Sequence, residues 1–128
     1  MPDEILIVDD SPINLRLLTF LMRSKGYAVR TAVDAPTARL AIEERPPALI
    51  LMDVQLPGMD GLELTRELKA APATQSIPVI VVTASAMRGD EIKARHAGCD
   101  AYVTKPINTQ LVPALVAQLL AKAREGTP

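Results

Sequence analysis

Residues 5–26 read ILIVDDSPINLRLLTFLMRSKG, and this stretch decides the fold class. Its first four residues, 5–8, form an unbroken apolar run rich in β-branched side chains, the pattern of a strand covered on both faces. Asp9 and Asp10 close the run. Ser11 is a natural helix cap, and Pro12 suits the first helical position because its missing N–H would have no partner there. Ile13, Leu17, Leu18 and Leu21 then recur at helical spacing, so a helix from Pro12 is expected to lay this stripe on the core, with Gly26 ending it.

The same alternation continues to the end of the chain. Residues 28–32 read as a second, more polar strand nearer an edge, and Asp34 opens a helix to about Glu44 that Pro46 and Pro47 terminate. Residues 49–52 are a third apolar strand, followed by a loop over 54–61 and a helix over 62–70. Residues 79–82 form a fourth strand, entered through Ile77 and Pro78. A segment of small residues, 83–86, precedes a helix over about 88–97 that Gly98 closes, and 101–103 is a short fifth strand. Asn108 or Thr109 caps a last helix carrying Leu111, Leu115, Leu119 and Leu120, again expected to be core. Five strands alternating with five helices through short connections imply a parallel sheet with helices on both faces. One domain is expected over residues 1–124, with a short tail at 125–128.

Composition narrows the function classes. In 128 residues, 48% are hydrophobic, enough for one sizeable core, and Lys+Arg 14 against Asp+Glu 15 leave a net charge of -1. That balance supplies no general attraction to nucleic acid or to an anionic membrane. Cys99 is the single cysteine, so no internal disulfide can form. No apolar run is long enough to span a bilayer, residues 1–4 show no charged stretch followed by a long apolar one as a secretory leader would, and the cytoplasm is the expected location.

Polar side chains stand just beyond the apolar strands: Asp9 and Asp10 after the first, Asp53 after the third, Thr83 after the fourth and Lys105 after the fifth. All strands of a parallel sheet end on the same edge, so these groups can converge where such sheets bind their ligands. Crowded carboxylates repel one another unless a cation neutralises them. Oxygen ligands suit a hard ion such as Mg²⁺, which takes one or two carboxylates together with phosphate oxygens. A carboxylate can act as nucleophile toward a phosphoryl group, Lys105 can place a positive charge on its oxygens, and the Thr83 hydroxyl can donate to another. Each residue alone has an ordinary alternative: Asp9 and Asp10 as complements of a helix dipole, Asp53 as a turn residue, Thr83 as a cap, Lys105 as a solvated charge. The joint placement at successive strand ends is what points to phosphoryl transfer.

With these motifs in place, the sequence resembles the receiver domains of two-component response regulators. The resemblance rests on residues 5–10 (ILIVDD), 49–53 (LILMD), 56–61 (LPGMDG), 79–84 (VIVVTA) and Lys105-Pro106, and runs from about Glu4 to Lys122. It implies a flavodoxin-like three-layer fold with a five-stranded parallel sheet in order 2-1-3-4-5. It further implies that Asp53 is the phosphoacceptor, and that Asp10, Asp53 and the Gln55 backbone carbonyl ligate Mg²⁺, for which Mn²⁺ can substitute, with Asp9 acting through metal-bound water. Lys105, Thr83 and the Ala84 backbone N–H would contact the phosphoryl group, and the Lys105–Pro106 peptide would be cis. Gln55 and Ser85 occupy positions that tune phosphate lifetime in the family.

Phosphorylation would draw Thr83 inward, with Tyr102 either rotating alongside or simply packing at the sheet edge. The output surface would be the helix over 88–97, the strand around Tyr102 and the last helix. Implied partners are a sensor histidine kinase or a histidine phosphotransfer protein and a downstream protein, with no nucleic acid and no membrane, the chain being a monomer or weak dimer. A DNA-binding or enzymatic output after Lys122 is not expected, and the start at Met1 with its short tail mildly favours the expectation of a stand-alone receiver over one cut from a hybrid kinase.

Two other function classes carry signatures that this chain lacks. Aspartyl-phosphate phosphatases carry an Asp-x-Asp motif after the first strand, whereas Asp9 and Asp10 are adjacent and no cap domain fits, so the chain is expected not to be an enzyme beyond promoting its own phosphorylation and dephosphorylation. A receiver-like scaffold that needs no phosphate would lack site residues, and this chain has the full set. His96 is taken as a surface or packing histidine, Cys99 as a small half-buried residue, and Asn14 as either rim or solvated helix surface.

Overall fold

The computed structural model describes residues 2–84 and 88–125, which fold as β1 (Glu4–Val8), α1 (Pro12–Ser24), β2 (Ala28–Ala32), α2 (Ala35–Glu44), β3 (Leu49–Asp53), α3 (Gly61–Ala70), β4 (Val79–Thr83), α4 (Arg88–His96), β5 (Ala101–Thr104) and α5 (Leu111–Glu125). All strand pairs are parallel, in the order β2-β1-β3-β4-β5, the expected flavodoxin-like arrangement. The chain order reverses direction across the sheet between β1 and β3, which opens a crevice above their carboxyl ends. Of the tail expected over 125–128, Glu125 closes α5 and the rest lies outside the described residues, as does Ser85.

Two cores sandwich the sheet. Along each central strand alternate side chains go to opposite faces. Leu6, Val8, Ile50, Met52, Val79 and Val81 meet Ala38 and Ile42 of α2, Leu64 and Leu68 of α3, and Ala94 of α4. Ile5, Ile7, Leu49, Leu51, Ile80 and Val82 meet Leu18 and Met22 of α1 and Val116 and Leu120 of α5. This two-sided burial explains the unbroken apolar runs, and each such side chain withdrawn from water contributes about 1.5–3 kcal/mol. β2, at the edge, has mixed burial and carries Arg30 and Thr31.

Local chemistry sets the helix limits. The Ser11 hydroxyl accepts from the Asn14 N–H, with Pro12 following at the first position. At the other end of α1, Gly26 adopts φ 90° while the Tyr27 N–H returns to the Met22 carbonyl, a left-handed stop that costs a side-chain-bearing residue free energy. Asp34 caps α2 in a box with Thr37, and Asn108 caps α5 by accepting from the Gln110 and Leu111 N–H groups.

The helical stripes need correction in two places. Ile13 is 79% exposed and Leu111 44% exposed, so neither is core. In α1 the sheet is covered by Leu18, Leu21 and Met22, and in α5 by Val112, Val116 and Leu120, with Leu17, Leu115 and Leu119 packed at the margin. Both misassigned residues lie in the first turn of their helices. Spacing identifies a face but not where along the axis the sheet begins to cover it.

Candidate functional site

Three carboxylates meet at the carboxyl edge of the sheet. Asp53 is the last residue of β3, and Asp9 and Asp10 follow the last residue of β1, which pairs with β3 in the register Val8↔Met52. Carboxylate oxygens of Asp9, Asp10 and Asp53 lie within 4.8 Å of one another. Asp9 and Asp53 are buried, 1% and 4% exposed, while Asp10 faces solvent. Among the described residues this is the group of acidic side chains placed to hold a metal ion. An all-oxygen donor set that is anionic and partly open to water fits a hard divalent cation.

Lys105 enters from the end of β5. Its Nζ is 3.4 Å from Asp9 Oδ2 and 3.5 Å from Asp53 Oδ1, so one ammonium sits between both buried carboxylates. Its own N–H donates to the Thr83 carbonyl at 2.7 Å, which ties the start of the β5–α5 loop to the end of β4. The Lys105–Pro106 peptide is cis.

The remaining anchors come from backbone. The Ser11 N–H donates to Asp9 Oδ1 at 2.8 Å, and the Gln55 N–H to Asp53 Oδ1 at 3.4 Å. Burial pushes the Asp53 carboxyl up to about 6, reinforced by the neighbouring Asp9 and opposed by Lys105 and the Gln55 N–H. One lysine therefore does not offset desolvation and carboxylate repulsion together. A carboxylate raised to this value is still mostly ionised at neutral pH and retains its nucleophilic lone pairs.

Thr83 ends β4 beside this cluster, and its side chain is buried. The register Asp53↔Val82 sets it one step beyond the acceptor residue on the neighbouring strand. Ala84 is exposed, immediately after the strand. Tyr102 lies on β5 opposite Val81 and packs, half-buried, against the core that α2, α3 and α4 cover. His96 is exposed and Asn14 half-buried. Cys99 is half-buried, and burial pushes its thiol up. No described helix is long and apolar enough to cross a membrane.

Sequence reasoning found the converging side chains but missed two features of the site. Lys105 contacts Asp9 as well as Asp53, and no spacing rule carries that. Gly61, quoted only as part of a motif, lies against the main chain of Asp53.

Comparison with known proteins agrees with this geometry. The response regulator receiver domain profile matches residues 5–117. The chain is 47% identical over 109 residues to the polar-differentiation response regulator DivK of Brucella anthropi, covering 84% of this chain and 88% of that protein. It superposes on a CheY-like response regulator receiver domain protein of Methanospirillum hungatei with a TM-score of 0.92 at 28% identity, over 99% of this chain and 100% of the other. The receiver domain of sensor histidine kinase PA1611 of Pseudomonas aeruginosa, solved with a magnesium ion coordinated in its active site cleft, matches with a TM-score of 0.86 at 32% identity, over 94% and 99% of the two chains.

Proposed function

Because the chain belongs to the response regulator receiver family, we propose that Asp53 accepts the phosphoryl group in a Mg²⁺-dependent reaction that switches protein–protein contacts. The observation that carries this reading is the convergence of Asp9, Asp10 and Asp53 within 4.8 Å, with Lys105 reaching two of them.

Asp10, Asp53 and the Gln55 carbonyl would hold Mg²⁺, with Asp9 acting through bound water; Mn²⁺ has the same preference for oxygen and would substitute. When bound, the ion neutralises carboxylate charge and offsets the repulsion between Asp53 and an incoming phosphoryl group. An Asp53 carboxylate oxygen attacks phosphorus as the bond from phosphorus to the donor's leaving atom breaks. With a phosphohistidine donor, the electron pair leaves on the imidazole nitrogen, which takes its proton from solvent. Lys105 Nζ, already beside Asp53 Oδ1, pairs with a phosphoryl oxygen, and the Thr83 hydroxyl and Ala84 N–H donate to others. No general base is required, because the nucleophile is already ionised.

The product carries more charge and more acceptor oxygens than the carboxylate did. That change draws on Thr83, while Tyr102 on the adjoining strand responds by rotation. The surface of α4, β5 and α5 then shifts population toward a partner-binding form. Receiver domains work between histidine kinases and downstream targets, and here the donor would be a sensor histidine kinase or a histidine phosphotransfer protein in the cytoplasm. The chain would act as a monomer or weak dimer and would turn over no separate substrate.

The test is intact mass after incubation with acetyl phosphate, with and without Mg²⁺, alongside Asp53→Asn. A Mg²⁺-dependent phosphoryl adduct absent from the variant is expected. An unmodified wild type that also fails to bind beryllofluoride would refute the assignment.

A further inference from the structure

The loop that leaves Asp53 is stapled at its base by a residue with no side chain. After β3 the chain runs through residues 54–60 and returns at Gly61, the first residue of α3. There the Gly61 N–H donates to the Val54 carbonyl at 2.8 Å, closing the loop on itself. A Cβ on Gly61 would lie 1.9 Å from the Asp53 carbonyl oxygen, 2.9 Å from its carbonyl carbon and 3.1 Å from Val54 Cα. On its other side the Gly61 carbonyl accepts from the Thr65 hydroxyl at 2.8 Å, in a fully buried position. The Asp60 carboxylate accepts from the Leu62 N–H at 2.7 Å and fixes the same turn.

The atoms that Gly61 abuts cannot give way easily. They belong to the Asp53–Val54 peptide at the carboxyl end of β3, where Asp53 pairs with Val82 of β4 and the Val54 N–H donates to the Val82 carbonyl at 3.4 Å. A flexible side chain could swing aside; this peptide cannot without pulling on its bond to β4. Any group larger than hydrogen at Gly61 must therefore displace α3 and the returning loop instead. That loop carries Gln55, whose N–H reaches Asp53 Oδ1 at 3.4 Å.

We infer that Gly61 is a positioning residue for phosphoryl transfer: its bare Cα lets α3 begin against the Asp53 peptide, which sets the distance from Gln55 to Asp53. The inference rests on Asp53 being the acceptor, and it assigns a role to a residue that touches neither phosphoryl group nor metal. Outer groups that orient ligands commonly change metal affinity by 10- to 100-fold, and a shift of about 1 Å in a reacting group can slow chemistry about a hundredfold.

The experiment compares Gly61→Ala with Gly26→Ala, a control whose left-handed φ of 90° makes alanine strained but which lies at the far end of α1. Both variants should melt earlier than wild type. Gly61→Ala alone should raise the Mg²⁺ dissociation constant, measured by calorimetry, about tenfold, and slow phosphorylation by acetyl phosphate about a hundredfold. Wild-type Mg²⁺ affinity and rate in folded Gly61→Ala would overturn the inference, as would equal losses in Gly26→Ala. If wild type takes up no phosphoryl group, the fault lies with the Asp53 assignment, and the Mg²⁺ comparison still decides the role of Gly61. Should Gly61→Ala not fold, amide exchange in Mg²⁺-free wild type decides: protection of the Gly61 amide well above that of the Leu56, Gly58 and Met59 amides supports the staple. Equal exchange across the loop overturns it.

Discussion

At the amino edge of the sheet one carboxylate is matched by two guanidinium groups, whereas at the carboxyl edge three carboxylates converge and two of them share one ammonium. Glu4 lies 2.7 Å from Arg30 and 2.7 Å from Arg45, and Arg30 also bonds the carbonyls of Ala41 and Arg45. Hydrogen bonds from Arg45 and then Arg30 hold the Glu4 carboxyl below its ordinary 4.5, against the opposing effect of burial. Asp53, beside Asp9 and 3.5 Å from Lys105, is pushed up to about 6 instead. The amino edge satisfies its charges and so supports the fold. The carboxyl edge leaves an excess of negative charge, which costs stability in the free protein and which a bound cation would relieve. Within one sheet, ion pairing thus balances charge at one end and leaves it unbalanced at the other.

Substitutions that break this contrast should differ in size and in their dependence on pH. The largest effect is expected from Lys105→Met, which leaves Asp9 and Asp53 buried without their shared cation. Denaturant unfolding in Mg²⁺-free buffer at pH 8 should show a loss of about 3 kcal/mol, shrinking toward pH 5 as Asp53 takes up a proton. Glu4→Gln should cost about 1 kcal/mol, the range of partly exposed ion pairs, without slowing phosphorylation. Arg45→Gln should cost least, because its side chain is mostly exposed and Arg30 remains with Glu4.

The two ends should also answer to pH with opposite signs. Glu4 has a lowered value in the fold, so its contribution is present in full above 4.5 and is lost as pH falls below that. Asp53 has a raised value, so its ionisation penalty is absent below 3.8 and complete above about 6. Between those limits, Mg²⁺-free wild type should gain stability from the Asp53 end as pH falls. Asp53→Asn should lack that gain, and Glu4→Gln should keep it; the same slope in Asp53→Asn would show that another group titrates.

The fold was legible wherever burial was two-sided. Residues such as Ile5–Val8 and Val79–Val82 could be recognised because a strand covered on both faces has no polar position, and β2 because its edge place admits Arg30 and Thr31. Ile13 and Leu111 misled because a helical stripe runs on past the end of the sheet it covers. At the site, acids directly after apolar runs announced Asp9, Asp10 and Asp53, since a parallel sheet turns position along each strand into proximity at one edge. What remained hidden were contacts between loops that no periodicity describes. The bridging of Asp9 by Lys105 depends on how the β5–α5 loop leaves its strand, and the Gly61 staple depends on a close approach of two main-chain segments.

The comparison of Asp53→Asn with wild type by thermal unfolding, in Mg²⁺-free and Mg²⁺-saturated buffer at pH 8, tests the central claim most directly. The account predicts a reversal: without Mg²⁺ the variant melts higher, because one buried charge has gone, and with Mg²⁺ the wild type rises past it. At a thousandfold excess of Mg²⁺ over its dissociation constant the wild type should gain about 4.1 kcal/mol. A variant that melts lower in both buffers, with Mg²⁺ leaving the wild type unmoved, would contradict the claim that the carboxyl edge is held out of balance for a cation.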